Sequence, residues 1–158
     1  MPHKLRLNLI LVAIIALLAL LIWQSQPQPR VTLSKLVPAE IHTITISTDT
    51  TSHTMRLVEG QWVIEGAAGL SSRIEQLLTI SQTPSLSRFA APPDLKPYGL
   101  DKPKLVLQLN QETFFFGNIE PLSGWRYVLH SGVIHLIGNG FQHHLAAPIE
   151  AWQEDPDA

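Results

Sequence analysis

The sequence predicts an α+β fold: an N-terminal transmembrane helix followed by antiparallel β-meanders, each closed by a helix (βββα-ββββα). Three observations support this prediction. Residues 7–23 are apolar except for Asn8, two later blocks alternate apolar and polar residues in short runs, and each block ends in a stretch that suits a helix. The strands belong either to two small sheets or to one sheet that both halves share.

The apolar run over residues 7–23 predicts an uncleaved, single-pass anchor in the inner membrane. As a helix with a rise of about 1.5 Å per residue it would be roughly 26 Å long, near the lower limit for a bilayer core of about 30 Å. No pair of small residues follows at signal-peptidase spacing, and the chain has no cysteine for lipid attachment. Lys4 and Arg6 keep residues 1–6 in the cytoplasm by the positive-inside rule, so the remainder is expected in the periplasm.

The rest of the chain divides into three parts. Residues 24–38 begin with alternating proline and glutamine, which predicts an extended linker. Residues 39–150 form the predicted domain, and residues 151–158 an acidic tail. From Arg30 onward the chain has nine basic and thirteen acidic residues, a formal charge of −4. Such a domain offers no basic stripe for nucleic acid, so we expect no nucleic-acid partner.

A β-hairpin is predicted in the first block, after one strand. With Glu59-Gly60 as its two-residue loop, Leu57 faces Trp62 and Met55 faces Ile64, so that all four side chains share one face.

A helix is predicted after this hairpin. Ser72 and Glu75 have capping-box spacing, in which each side chain satisfies a free backbone N–H of the other residue. Pro84 ends the helical stretch. The buried face is predicted to hold four side chains at helical spacing: Ile74, Leu77, Leu78 and Ser81.

The second block predicts four strands and a short helix over residues 140–147. Leu107 and Phe114 point inward from its first two strands, and Ser131-Gly132 forms the loop of a second hairpin. One face of this hairpin is predicted to be buried and holds Tyr127, Leu129, Ile134 and Leu136. The other face is predicted to contact a protein partner, unless it packs on the other half of the domain, and holds Arg126, Val128, His130, Val133, His135 and Ile137.

Four short motifs occur in order between these elements: Gly60-x-Trp62, Tyr98-Gly99-Leu100-Asp101-x-Pro103, Phe116-Gly117-Asn118 and Arg126-Tyr127-Val128. This pattern resembles the DUF4340 family of bacterial envelope proteins with an N-terminal membrane segment, over residues 41–145. The family has no established activity, so the resemblance implies no catalytic residues. Some members are linked to ABC-type export and gliding-motility systems, which implies an envelope protein as partner.

The motif residues are interpreted as structural. Gly60 and Gly99 suit tight turns, and Gly117 either ends a strand or allows close approach of another backbone. The full set of residues interpreted in this way is Gly60, Trp62, Tyr98, Gly99, Leu100, Asp101, Pro103, Gly117 and Tyr127.

No catalytic, cofactor or metal site is predicted. The chain has no nucleophile elbow, phosphate-binding loop or cysteine. His130 and His135 would share a hairpin face and could bind zinc together with a carboxylate, but no third ligand can be identified from the sequence.

We therefore expect a non-enzymatic, membrane-anchored scaffold or accessory subunit of an envelope complex, such as an ABC-type transport system. One alternative is a module that binds a glycan or lipid, which Trp125 and Trp152 would favour if they lay exposed beside a groove. The other is a hydrolytic enzyme, which would require acid and base groups that converge in a pocket.

Overall fold

The computed structural model describes residues 3–24 and 31–154, and the chain divides into two compact units, Met1–Arg30 and Val31–Ala158. In the first unit, His3–Gln24 forms one helix, α1. Among the residues that the structure describes, no helix combines the length and the apolar character needed to cross a bilayer. The membrane anchor predicted for residues 7–23 stays a prediction.

The second unit is an α+β fold whose described residues contain nine β-strands and two further α-helices. The strands are β1 (Thr43–Thr48), β2 (Ser52–Val58), β3 (Gln61–Ile64), β4 (Ala67–Ala68), β5 (Ser87–Ala90), β6 (Leu105–Leu109), β7 (Glu112–Ile119), β8 (Arg126–His130) and β9 (Val133–Ile137). The helices are α2 (Ser71–Leu78) and α3 (Gln142–Leu145). Short 3-10 helices lie at Pro38–Glu40, Thr79–Gln82, Lys96–Tyr98, Asn139–Phe141 and Ile149–Trp152.

All nine strands form one antiparallel sheet in the order β4-β3-β2-β1-β6-β7-β8-β9-β5. Pairing of β1 with β6 joins the two predicted blocks, which confirms the shared sheet among the two alternatives. The predicted order of the longer strands and the helices is confirmed. The short edge strands β4 and β5 were not predicted. β5 pairs with β9, more than 40 residues later, and local periodicity carries no information about such a distant partner.

Both predicted hairpin registers are confirmed. Leu57 pairs with Trp62 and Met55 with Ile64, and Ser131-Gly132 connects β8 to β9 in the predicted register. Glu59 and Gly60 have φ of 50° and 83°. The two-residue loop whose twist matches that of the paired strands has positive φ at both positions.

The main core lies on one face of the sheet, which we call the inner face. Ile44, Met55, Leu107 and Phe114 project from it and are 0% exposed. Burial of one such side chain stabilises the fold by about 1.5–3 kcal/mol. The predicted helical face is confirmed, because all four of its residues are buried. Ile74, Leu77 and Leu78 lie on α2 and belong to the main core, and Ser81 lies on the 3-10 helix that follows.

The start of α2 differs from the prediction, because no capping box forms. Leu70 is the N-cap and makes no side-chain cap hydrogen bond. Ser72 already lies within the first turn, so its hydroxyl does not take the N-cap position. The backbone N–H of Leu70 instead donates to the carbonyl oxygen of Trp152, at 2.7 Å. The C-terminal segment therefore supports the beginning of this helix.

The folded unit extends past both predicted boundaries. The backbone N–H groups of buried Leu33 and Ser34 donate to carbonyl oxygens of the segment after α2, at 2.9 and 2.8 Å. At the other end Trp152 is 1% exposed, and Glu154 N–H donates to Ala68. Residues 31–37 and 151–154 thus pack on the domain rather than serving as linker and tail. Residues 25–30 and 155–158 lie outside the described part.

The C-terminal helix predicted over residues 140–147 is shorter in the structure. A 3-10 helix, Asn139–Phe141, leads into α3, and Leu145 is its buried residue. The backbone N–H of Ala146 donates to Gln142, which closes the single α-helical turn.

Candidate functional site

The hairpin face predicted to contact a partner is part of the inner face of the sheet. Val128 and Ile137 belong to the main core at 0% and 1% exposure, and His135 is buried beside them. Arg126, His130 and Val133 on the same face are half-buried. The prediction of an open interaction surface is therefore wrong for Val128, His135 and Ile137, which are buried, while the other three residues of this face stay partly exposed.

The opposite face of the same hairpin is covered less completely. Ile134 is buried as predicted, whereas Tyr127, Leu129 and Leu136 are half-buried. Both faces carry mostly apolar residues, so alternation alone could not decide which of them joins the main core.

His130 links β8 to the beginning of β7. Its Nε2 lies 3.3 Å from Glu112 Oε2, its Nδ1 lies 3.1 Å from the carbonyl oxygen of Thr113, and its ring stacks on Phe114 with centroids 4.4 Å apart. The buried hydroxyl of Ser34 donates to the same Glu112 oxygen. The carboxylate thus joins the N-terminal segment of the domain to the sheet, which is a structural role.

His135 makes a separate contact. Its Nδ1 lies 3.1 Å from Ser85 Oγ. Burial lowers the pKa of His135, and the nearby His130 and Arg88 lower it further. Within residues 3–24 and 31–154, no three His, Cys, Asp or Glu side chains lie close enough together to hold a metal ion.

The motif residues of the second block meet around the 3-10 helix Lys96–Tyr98. The ring of Tyr98 packs edge-on against Tyr127 with centroids 5.0 Å apart, and against Phe89 at 5.4 Å. Leu100, two residues after Tyr98, is buried. These residues cover the outer face of β8 and β9, which agrees with their interpretation as structural anchors.

Gly99 and Gly117 allow this turn to lie directly on β7. Gly99 has φ of 67°, and a β-carbon at this position would overlap the side chain of Asn118. A β-carbon at Gly117 would overlap the carbonyl oxygen of Tyr98. The register between β7 and β8 shifts between Phe116 and Ile119. A bulge of this kind re-aims side chains at the end of a strand.

A cleft of about 340 Å³ opens beside this bulge, and we call it the basic cleft. Three of its lining residues are cationic and none is acidic, although the domain as a whole carries net negative charge. Its lining residues are Thr48, Gly99, Lys102, Lys104, Leu105, Phe116, Gly117, Asn118, Arg126, Gln142 and Ala146.

Arg126 is fixed at the wall of the basic cleft by three neutral acceptors. Its Nε donates to Asn139 Oδ1 at 2.7 Å, its Nη1 to the carbonyl oxygen of Gly117 at 2.5 Å, and its Nη2 to Gln142 Oε1 at 2.6 Å. In the described part of the chain it pairs with no carboxylate. Burial without a counter-charge lowers the pKa of Arg126, yet a guanidinium stays protonated in proteins.

A second cavity of about 420 Å³ adjoins the basic cleft, and we call it the apolar cavity. Thr48 and Ala146 line both spaces. Buried Ile46, Met55 and Trp152 also line the apolar cavity. Its lining includes no lysine or arginine. The two spaces therefore differ in charge and share part of their wall beside α3.

Several residues of these spaces were not singled out in the sequence. Lys102 occupies the variable position of the Tyr-Gly-Leu-Asp-x-Pro run, and Lys104 lies two residues later. Gln142 is a polar residue at the start of α3, with no distinctive spacing, and Asn118 belongs to the Phe116-Gly117-Asn118 motif but was assigned no role. Arg126 was named as part of a face for contact with a protein. A search for clustered cations in an acidic domain would have noticed Lys102 and Lys104, but not their proximity to Arg126.

Neither Trp125 nor Trp152 has an exposed side chain, and exposure was the condition set for ligand recognition by tryptophan. Trp152 is buried, with the guanidinium carbon of Arg73 at 4.9 Å from its ring centroid, and Trp125 is half-buried. Glu120 next to Trp125 accepts hydrogen bonds from Ser123 and Leu122 within its own loop. These bonds, that from the Ser123 hydroxyl above all, lower the pKa of Glu120.

No family model, curated protein or solved structure matches the chain. The resemblance to the DUF4340 family therefore stays a prediction.

Proposed function

We propose that the chain is a non-catalytic, extracytoplasmic binding module that recognises an anionic ligand in the basic cleft. The observation that carries this proposal is Arg126. Its guanidinium is half-buried and held by three neutral acceptors, and no carboxylate lines the cleft. Two of its five N–H groups remain for a ligand, and this fixed fork suits carboxylate and phosphate oxygens.

Lys102 and Lys104 add positive charge at the same cleft. A concave surface with charge of one sign concentrates the field and attracts ions of the opposite sign. Because the guanidinium is already positioned, binding would cost little side-chain entropy. These features support recognition of an anion in a domain whose overall charge would otherwise repel it.

We further propose that residues 7–23 hold this module at the outer side of the inner membrane. The support is the uncharged apolar run of the sequence, preceded by Lys4 and Arg6. Within residues 11–20 of α1, seven large apolar side chains are exposed, and exposed apolar surface of this extent favours contact with lipid or with another protein.

The anion proposal is tested by calorimetric titration of the full-length chain in phosphatidylcholine nanodiscs with inorganic phosphate and with acetate. We expect binding that weakens as salt concentration rises. Lys102→Gln combined with Lys104→Gln should weaken it by roughly tenfold. Lys96→Gln, an exposed position outside the cleft, is the matched control. The proposal would be overturned if neither anion bound, or if the double lysine variant and Lys96→Gln lost affinity equally.

A second candidate function is that of the accessory subunit expected from the sequence, with β5 as the contact. β5 ends the sheet, and all four of its residues are exposed. Leu86 and Phe89 add exposed apolar side chains at 49% and 37%. An extended segment of a partner protein could add to such an edge through main-chain hydrogen bonds.

Proline at Ala90 tests this second candidate. The backbone N–H of Ala91 donates to the carbonyl oxygen of Gly132, in the loop that precedes β9, so by alternation the N–H of Ala90 faces the free edge. Ala90→Pro should therefore remove a donor for a partner and leave the β5–β9 pairing intact, whereas Ala90→Ser keeps the donor. With a photocrosslinker at Arg88 in the native host, one partner should crosslink to wild type and Ala90→Ser but not to Ala90→Pro. Equal crosslinking of all three would contradict strand addition.

A further inference from the structure

The basic cleft and the apolar cavity share two wall residues and differ in the chemistry that they offer. Thr48 lies at the end of β1 and Ala146 directly follows α3, and both line each space. A ligand that passes Ala146 would meet cations on one side and apolar side chains on the other.

The two spaces differ in the charge of the side chains that line them. Lys102, Lys104 and Arg126 line the basic cleft, whereas Glu150 lines the apolar cavity. An anionic group would be attracted to the first space and repelled from the second. The ligand's charge would therefore lie at Arg126.

The apolar cavity has a polar and an apolar part to its lining. The polar part includes Thr50, Thr51, His53 and Glu150. Residues 145–149 are five consecutive apolar residues of the lining, and Ala146 and Pro148 among them are exposed. Displacement of water from such a surface by a methylene group is favourable, at about 0.8 kcal/mol for a fully buried group.

We propose that the ligand of the basic cleft is an anionic amphiphile, with a phosphate or carboxylate head at Arg126 and an alkyl or acyl chain that extends past Ala146 into the apolar cavity. This inference rests on the proposed anion-binding function. It adds that the ligand's hydrocarbon chain, and not its head group alone, contributes to affinity.

A chain-length series tests the inference. The full-length protein in phosphatidylcholine nanodiscs is titrated with methyl, butyl, hexyl and octyl phosphate and with carboxylates of matching length, and empty nanodiscs serve as the blank. Affinity should rise by up to about fourfold for each buried methylene. Octyl trimethylammonium, which has the same chain with a cationic head, should bind far more weakly.

Substitution in the apolar cavity separates the contribution of the ligand's hydrocarbon chain from that of its head group. Ala147→Phe, at a position that lines the apolar cavity and not the basic cleft, should abolish the dependence on chain length and leave methyl phosphate binding unchanged, whereas Ala90→Phe on the distant edge strand is the control. Lys102→Gln with Lys104→Gln should weaken all members of the series by a similar factor. Nanodiscs that contain phosphatidylglycerol distinguish the source of the ligand. If phosphatidylglycerol competes with octyl phosphate, the ligand is a bilayer lipid. If it does not compete, the ligand is a soluble amphiphile.

The failures of the two proposals are distinguishable. If methyl and octyl phosphate bind equally well in wild type, anion recognition stands and the amphiphile inference is overturned. If the chain series binds but the lysine substitutions have no effect, anion recognition itself is overturned. If chain-length dependence survives Ala147→Phe, the proposed position of the hydrocarbon chain in the apolar cavity is wrong.

Discussion

Gly117 of β7 lies so close to the carbonyl oxygen of Tyr98 that a β-carbon at position 117 would overlap it. Leu100 also contacts the position that this carbon would occupy. The absence of a side chain at Gly117 thus allows the Tyr98–Leu100 turn to rest on the strand that forms one wall of the basic cleft.

Gly117→Ala should destabilise the domain by about 1–3 kcal/mol, because the overlap is with backbone that has little freedom to shift. Urea unfolding of the purified protein measures this loss as a lower midpoint with an unchanged slope. Gly138→Ala is the matched control, since a β-carbon there meets nothing within 4 Å and its φ is −60°. A loss at position 117 no larger than that at position 138 would contradict the close contact.

Tyr98 and Tyr127 should show a coupling free energy of about 0.5–1.5 kcal/mol in a double-mutant cycle. Their rings meet edge to face at 5.0 Å and an interplanar angle of 82°, the geometry that aromatic quadrupoles favour. The cycle uses Tyr98→Leu and Tyr127→Leu, with unfolding free energies as the readout. A second cycle that pairs Tyr98→Leu with Val58→Ala, exposed on β2, should be additive. Coupling of equal size in both cycles would count against the contact.

Ser34→Ala should cost about 1–2 kcal/mol of stability. The hydroxyl of Ser34 donates to Glu112, accepts the backbone N–H of Leu36 at 2.9 Å, and is largely buried, so its loss leaves these partners unsatisfied. Ser72→Ala is the comparison, because Ser72 makes no cap hydrogen bond and should change stability by less than about 0.5 kcal/mol. A loss of about 1 kcal/mol in Ser72→Ala would instead show that the Ser72 hydroxyl caps the helix, as the sequence predicted.

Stability should fall as pH drops below about 6.5, and His135 should account for part of the loss. Burial, then His130 and Arg88, lowers the pKa of His135 in the folded state. The unfolded chain therefore takes up a proton at a higher pH than the folded one, so the free energy of unfolding rises with pH across this interval. The contribution is complete above the unfolded value and is lost as pH falls through the folded one.

The measurement compares urea unfolding at pH 7.5 and pH 5.5 for wild type and His135→Gln. The wild type should lose more stability on acidification than the variant. His143→Gln, at an exposed position, should behave as wild type. Equal losses in wild type and His135→Gln would show that other groups carry the pH dependence.

Local elements were predicted well where a short sequence pattern favours one arrangement over the others. Glu59-Gly60 and Ser131-Gly132 set two hairpin registers, because a two-residue loop fixes which residues face each other. The buried face of α2 followed from the spacing of Ile74, Leu77 and Leu78. The candidate site was predicted less well. Arg126 was singled out, but Lys102, Lys104 and Gln142 reach the same cleft through a turn and a helix that pairing rules do not connect.

The sequence by itself determined the hairpins, the apolar N-terminal run, the α+β class and the order of its longer strands, since these depend on residues close together in the chain. Tertiary structure alone decided that the hairpin of β8 and β9 turns its Val128 and Ile137 face toward the main core, that β5 pairs with β9, and that three cations line one cleft. Both hairpin faces carry enough apolar residues to be buried, so the choice between them depended on which neighbours covered each face. α2, α3 and the C-terminal segment contribute buried residues to the main core, while the Tyr98 turn covers the opposite face.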